Sequence, residues 1–195
     1  MPREVDREAR RRALAEALWR VVRRDGIDRV SVRTVAAEAG TSPGALRHWF
    51  PSQEDLAAFA LEAVVERVAH RLADRLPGMG RRDAALYLLE QLLPLDAERR
   101  DETAVYLAFL GRPQTEERLR RIRAAAEEGT RLAVAAALRM LAEAGALGGR
   151  DPAGEVDRLY ALVDGLALHG TLWPERFPAA DLRRVLHEHL ASLAS

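Results

Sequence analysis

The stretch VSVRTVAAEAGTSPGALRHWFPSQEDL, residues 30–56, reads as two short helices, a tight turn between them and the start of a third. Val32, Val35, Ala36 and Ala39 recur at i, i+3, i+4 and i+7, which gathers them on one helical face. Ser31 ahead of them is an N-cap, because its hydroxyl accepts a backbone N–H that the first turn leaves without a partner. Gly40 ends that helix, since glycine enters the left-handed region without the penalty of a Cβ. Ser42 and Pro43 restart the chain as N-cap and N1, and the new helix is expected to run to about Phe50. Leu46 and Phe50 on it are core positions. Two helices joined by a short turn with a glycine form a helix-turn-helix, whose second helix fits the DNA major groove. Ser52-x-x-Asp55 has the spacing of a capping box and opens a further helix.

Upstream, Leu14, Leu18, Val21 and Val22 predict a helix over about 6–24, closed by Asp25-Gly26, whose apolar face completes a three-helix domain. Downstream, a long helix runs from Ser52 to about Leu76, starting in that domain and ending in the body; Pro77-Gly78 breaks it. Residues 84–94, AALYLLEQLLP, are apolar nearly all round and predict a buried helix. A helix over 97–111 follows, closed by Gly111-Arg112-Pro113, and then the longest pattern, from Thr115 to Ala144 with Gly145 as its stop. Asp151-Pro152 starts a helix that ends at Trp173-Pro174, and Pro178 starts the last one. The expected fold is all-α with nine helices, a helix-turn-helix domain over 1–51 and a helical body over 52–195. The final two helices are unusually apolar, and Leu159, Val163, Leu166, Leu186 and Leu190 form a stripe suited to pairing with a second copy or to packing within one chain.

The charge is distributed as a DNA-binding end requires. The 195 residues carry no net charge, yet residues 1–50 hold 11 arginines against 7 acids while the remainder is acidic by the same margin. A modestly basic end on an acidic body suits a protein that touches phosphate at one end only; ordinary helix-surface charge is the alternative. All 30 basic residues are arginine, and there is no cysteine, which removes disulfides, thiolate zinc sites and thiol catalysis. The amino terminus MPREVDREARRR has no apolar signal core, and no apolar run is long enough to span a membrane, so a cytoplasmic protein is expected.

Among the candidate DNA contacts Arg47 is foremost, because a guanidinium grips guanine O6 and N7 with two hydrogen bonds. Thr41 and Ser42 can donate to phosphate or a base, and Gly44 and Ala45 allow close approach, Ala45 also suiting a thymine methyl. Ser31, Arg33 and Thr34 at the start of the preceding helix suit phosphate. His48 and Trp49 are placed for the backbone beyond, with Trp49 equally suited to the core. Arg7, Arg10, Arg11 and Arg12 at the start of the first helix can reach phosphate or the adjacent minor groove, a solvated face being the alternative for each.

Catalytic chemistry finds little support. His187 and His189 lie about 200° apart around a helix and cannot chelate one metal. Glu66 and His70 share a face, but a di-iron bundle needs paired Glu-x-x-His motifs. No phosphate-binding glycine loop, nucleophile elbow or zincin motif is present, so neither an enzyme nor a cofactor is expected. The apolar surface over 52–146 exceeds the need of one small core, with Tyr87, Tyr106, Phe109, Arg139, Asp164, His169 and Trp173 as candidate lining groups of a small-molecule pocket.

From Gly26 through Ser31-Val32-Arg33-Thr34-Val35-Ala36, Ala39-Gly40-Thr41-Ser42-Pro43-Gly44 and Trp49-Phe50-Pro51-Ser52 to Leu56, the chain resembles the DNA-binding domain of TetR/AcrR-type transcriptional repressors. The resemblance is dense over roughly residues 8–60. Two positions depart from the family's pattern: Gln53 stands where most members carry a phosphate-touching lysine, and Trp49 where they carry tyrosine or histidine. The segments 159–170 and 173–178 resemble the BetI-type C-terminal subgroup. The resemblance implies a homodimer formed through the last two helices, a palindromic double-stranded operator, and a body that binds a small-molecule effector. It further implies release, in which effector binding swings the helix from Ser52 and mismatches the half-site spacing. A helical ligand-binding or adaptor protein that has lost DNA binding is the alternative, favoured by Gln53 and the neutral net charge.

Overall fold

The computed structural model describes residues 2–111 and 117–194, with side chains from residue 9 onward. Nine α-helices and no strand occur among them. Helix α1 spans Pro2–Asp25 and is followed by one 3₁₀ turn, Ile27–Arg29. The motif follows as α2, Val32–Glu38, and α3, Pro43–Arg47; the long α4 is Gln53–Arg75. The body continues with α5, Arg81–Glu90, α6, Ala97–Leu110, α7, Glu117–Glu143, α8, Pro152–Leu172, and α9, Ala179–Leu193.

The caps lie where the hydroxyls and carboxylates of the sequence put them. Ser31 and Thr34 form a reciprocal capping box on α2, and Ser52 and Asp55 form another on α4. Asp151 accepts from the Ala153 N–H with Pro152 in the first turn of α8, and Pro178 precedes α9. Gly40 sits at φ 61°, the left-handed conformation expected where α2 stops. Two expected helices are shorter than their apolar patterns. The helix expected over 84–94 ends at Glu90 because Pro94 has no N–H to continue the ladder and pushes Leu93 away from helical angles. The recognition helix ends at Arg47, and the chain turns through His48 and Trp49 into Pro51. The expected start of α7 at Thr115, and Arg112-Pro113 before it, lie outside the described residues.

Three clusters of buried side chains divide the interior. The first, at the amino-terminal head, joins Leu14, Leu18 and Val22 of α1 to Val35, Leu46, Leu56, Phe59 and Val64, so the first half of α4 belongs to it. Val105 of α6 enters the same cluster. The third is a small joint of Ala58 and Leu61 on α4 with Phe109 on α6 and Leu119 on α7. The largest fills the body between α5, α7, α8 and α9. There Gly170 lets α8 approach its neighbours closely: a Cβ on it would lie 2.4 Å from a Leu182 methyl and 2.8 Å from the Pro94 ring. Helix α4 thus supplies side chains to the head core and continues as a wall of the body.

Candidate DNA-binding face and ligand cavity

Which side chains can reach a ligand follows from which are already engaged. In the head, the Ser31 and Thr34 hydroxyls are spent on structure: Ser31 Oγ accepts from the Thr34 N–H, and Thr34 Oγ1 donates to the Arg29 carbonyl at 2.8 Å. Ser42 Oγ accepts from the Ala45 N–H at 3.1 Å. Arg33, Gly44, Ala45, Arg47 and His48 are exposed, and Thr41 is half-buried beside them. Trp49 is half-buried against the head core, the inward of its two readings. Gln53, in place of the phosphate-touching lysine, donates its side-chain amide to the Val30 carbonyl at 2.6 Å, tying the start of α4 to the entry of α2.

The arginines of the head divide sharply. Arg20 and Arg24 both hold Glu38 at 2.7 Å and fasten the end of α2 to α1. Hydrogen bonds from Arg24 and then Arg20 keep the Glu38 carboxyl below its ordinary value of 4.5. Arg11 reaches Glu66 at 2.6 Å and Glu62 at 3.2 Å and lies over the Phe59 ring, fastening α1 to α4. Of the four arginines expected at phosphate, Arg11 is therefore neutralised, Arg7 has no described side chain, and Arg10 and Arg12 are exposed with no ion pair among the described residues. Arg33 and Arg47 likewise stand unpaired among the described residues.

The body carries a cavity of about 310 Å³, partly open to solvent, whose walls come from α4, the segment around Leu88–Leu92, α6, α7 and α8. Leu61, Val64, Val68 and Leu72 form its α4 wall, and small residues of α7, Ala125, Ala126, Gly129 and Ala133, make room opposite. Polar groups occur at two places. At one, Glu102 is 3% exposed and held by Arg71 at 2.5 and 2.7 Å and by Arg67 at 3.0 Å, while Gln91 also accepts from Arg71. At the other, Asp164 on α8 lines the cavity together with Tyr106 and Thr130. Burial pushes the Asp164 carboxyl above its ordinary value, and only a hydrogen bond from Tyr160 opposes this. Burial likewise raises the Tyr106 phenol.

The paired carboxylate connects cavity and head. Arg67 bridges Glu102 and Glu98 of α6 and lays its guanidinium 4.9 Å from the ring centre of Trp19, which is 4% exposed in α1. Two contacts therefore lead from the cavity wall to the helix that backs the motif. A second tie joins Arg118 at the start of α7 to Asp55, a member of the α4 capping box.

Of the seven expected lining groups the cavity brings together Tyr106 and Asp164. Phe109 is buried in the joint of α4, α6 and α7. Tyr87 is half-buried and Arg139 exposed, both outside the lining. His169 packs edge-on against Trp173 and Phe177 near the surface, with Trp173 52% exposed. Leu159, Val163, Leu166, Leu186 and Leu190 are all buried in the body's own core. The α4 and α7 walls were missed. Their signal was the run of alanines and glycine over 124–133, where a helix keeps one face small.

A helix-turn-helix head with unpaired arginines, joined by one long helix to a hollow helical body, defines a DNA-binding regulator. Residues 14–59 match the bacterial regulatory proteins of the tetR family, and residues 81–195 match the BetI-type transcriptional repressor C-terminal domain. The HTH-type transcriptional regulator PksA of Bacillus subtilis (strain 168) is 36% identical over 99% of this chain and 94% of its own. A transcriptional regulator from Rhodococcus sp. Rha1 superposes with a TM-score of 0.75 at 32% identity, covering 94% of this chain and 95% of that one. A transcriptional regulator from Saccharomonospora viridis in complex with choline superposes with a TM-score of 0.78 at 26% identity, covering 92% and 94%. The chain belongs to the TetR family of DNA-binding transcriptional regulators, and its matched domains and relatives are regulators rather than enzymes. No helix among the described residues is long and apolar enough to cross a membrane.

Proposed function

We propose that the protein is a homodimeric repressor that leaves a palindromic operator when a small molecule fills the cavity of the body. The observation that carries this reading is the double membership of α4. Leu56, Phe59 and Val64 pack in the head core, while Leu61, Val68 and Leu72 line the cavity, Val64 doing both. A ligand that presses on the α4 wall, or that moves Glu102 and with it Arg67, displaces a helix on which the motif rests. The ligand shifts the equilibrium by its differential affinity for the two arrangements and by nothing else. The choline held by the Saccharomonospora relative supports a small-molecule site in a body of this shape.

On DNA, Arg47 reads a base edge, Thr41, Gly44 and Ala45 allow the helix into the groove, and Arg33 and His48 take phosphates, with Arg10 and Arg12 beside them. Ser31, Ser42 and Thr34 act by holding the helices in place. Two motifs enter successive major grooves about 34–36 Å apart. For pairing, the outward face of α8 replaces the buried stripe: Ala161, Gly165, Leu168 and Leu172 follow one another at helical spacing, and Leu168 and Leu172 are 38% and 53% exposed.

Selection of bound sequences from random duplex DNA, with the wild type and with Arg47→Ala, tests the reading. A palindrome that blurs at one base pair per half-site in the variant is expected, with a loss of about 1–3 kcal/mol on the wild-type site. Absence of enrichment at low salt, where phosphate contacts are strongest, would contradict it and favour the adaptor alternative.

A further inference from the structure

The exposed part of the cavity lining is confined to two helices. Among the described residues, the lining residues that stand exposed are Val65 and Ala69 on α4 and Ala125 and Gly129 on α7, each pair one helical turn apart. Val65 is 56% exposed. The inner walls are closed: Leu88, Gln91, Glu102, Thr103, Val163 and Ala167 are all buried. The cavity therefore opens between α4 and α7. That opening is bounded at both ends. At one, Ala58 and Leu61 of α4 meet Leu119 of α7 in the small joint, where Arg118 also pairs with Asp55. At the other, Leu72 of α4 and Ala133 of α7 pack on the body core.

Gly129 lies on the α7 edge of this slot. Glycine inside a helix costs stability relative to alanine, so its presence calls for a reason in backbone conformation or in packing. Neither applies here. Gly129 is not among the glycines with positive φ, and a Cβ on it would meet no neighbouring atom within 4 Å. The space that a side chain at Gly129 would take is the slot itself.

We infer that the slot between Val65 and Ala69 on one side and Ala125 and Gly129 on the other is the way into the cavity, and that the missing side chain at Gly129 sets how thick a molecule can pass. The inference rests on the proposed reading of the cavity as the effector site. A group placed at the mouth raises the barrier to entry and to exit alike, so both rates fall by the same factor and affinity stays. A group placed inside the cavity takes up the ligand's room and changes affinity instead.

The absence of cysteine allows a reversible plug. Gly129→Cys in the full-length protein is capped through a disulfide with a methyl or a benzyl group, and stopped flow follows uptake and release of N-phenyl-1-naphthylamine, a neutral dye that brightens in apolar surroundings. The benzyl cap is expected to slow both processes about tenfold or more while the dissociation constant changes less than about threefold. The methyl cap should slow them far less. The benzyl cap on Ala124→Cys, exposed on α7 outside the lining, should leave both rates unchanged. Reduction removes the cap and should restore the rates, which excludes misfolding as the cause. Gly129→Ala should raise the melting temperature, because its methyl meets nothing and favours the helix. The inference is overturned by no dye uptake in the uncapped protein, by an entry rate that the benzyl cap leaves unchanged, by equal slowing from Ala124→Cys, by slowing that survives reduction, by a weakened affinity at unchanged entry rate, or by a lower melting temperature in Gly129→Ala. The effector reading fails separately. It is refuted if compounds that calorimetry shows to occupy the cavity leave affinity for the selected operator unchanged, and it survives a wrong entry route if such a compound releases DNA whatever path it takes.

Discussion

Glu38 in the head and Asp164 in the body are both partly sheltered carboxylates, and they stand in opposite conditions. Glu38 has two arginines at 2.7 Å and titrates below its ordinary value; Asp164 has none and titrates above it. In the head Glu38 joins α1 to α2 and Glu62 and Glu66 join α1 to α4, while Arg10, Arg12, Arg33 and Arg47 stay exposed. Among the described residues, the body leaves Asp164 without an arginine and the Tyr106 hydroxyl without a well-formed hydrogen bond around a space. One region is satisfied within itself and presents charge to a partner outside. The other keeps polar groups without such partners on the wall of a cavity.

Severing the link between the regions should have the largest effect. Glu102→Ala leaves Arg67 and Arg71 without their shared partner, and the cost is set at about 2–4 kcal/mol, below a fully buried pair because both arginines keep some solvent. Chemical denaturation measures it, and tryptophan emission from Trp19 should shift as Arg67 loses its anchor. Gly170→Ala forces a methyl into Leu182 and Pro94 and should cost about 1–3 kcal/mol in the body. If head and body unfold as separate units, hydrogen exchange will show the body alone loosened by this change. Ser31→Ala removes a capping box from α2 and should cost about 1 kcal/mol; exchange protection should fall across α2 while α8 is untouched.

The smallest effect has the most informative sign. The Asp164 pKa is raised in the folded state, so its ionisation subtracts stability as pH rises from the ordinary value of 3.8 through the folded value. Asp164→Asn removes that loss and should raise the melting temperature by roughly 1–2 °C at neutral pH, and by less at pH 3.5. Glu38 behaves in the opposite way: its contribution is present above 4.5 and disappears as pH falls through its depressed folded value. Carboxyl NMR titration should therefore find the two groups displaced in opposite directions.

The same comparison explains what the sequence disclosed. Ser31, Ser42, Ser52 and Asp151 announce helix starts because a cap acts within three residues of itself, and Gly40 announces a turn for the same reason. The motif is built wholly from such local signals. The cavity joins Leu61 to Ala167, and no local pattern records which residues from five elements share a wall. Tyr106 and Asp164 were recognised as polar groups in apolar surroundings, while Phe109 and His169 fitted the same description and lie elsewhere. Leu159, Val163 and Leu186 show the limit of periodicity, which marks the face that is buried but not the partner that buries it. Gln53 shows the reverse, a departure at a DNA-contact position whose side chain instead secures the head to α4.

The central claim is that filling the cavity moves the heads, and a distance measurement tests it most directly. The chain has no cysteine, so Ala37→Cys, exposed on α2, gives one spin label per subunit. Double electron–electron resonance on the dimer, free and saturated with a compound that calorimetry shows to occupy the cavity, should show the label separation shift by several ångströms, on the order of a helical-turn mismatch between grooves. A distance distribution that stays the same while calorimetry shows the cavity occupied would contradict the account.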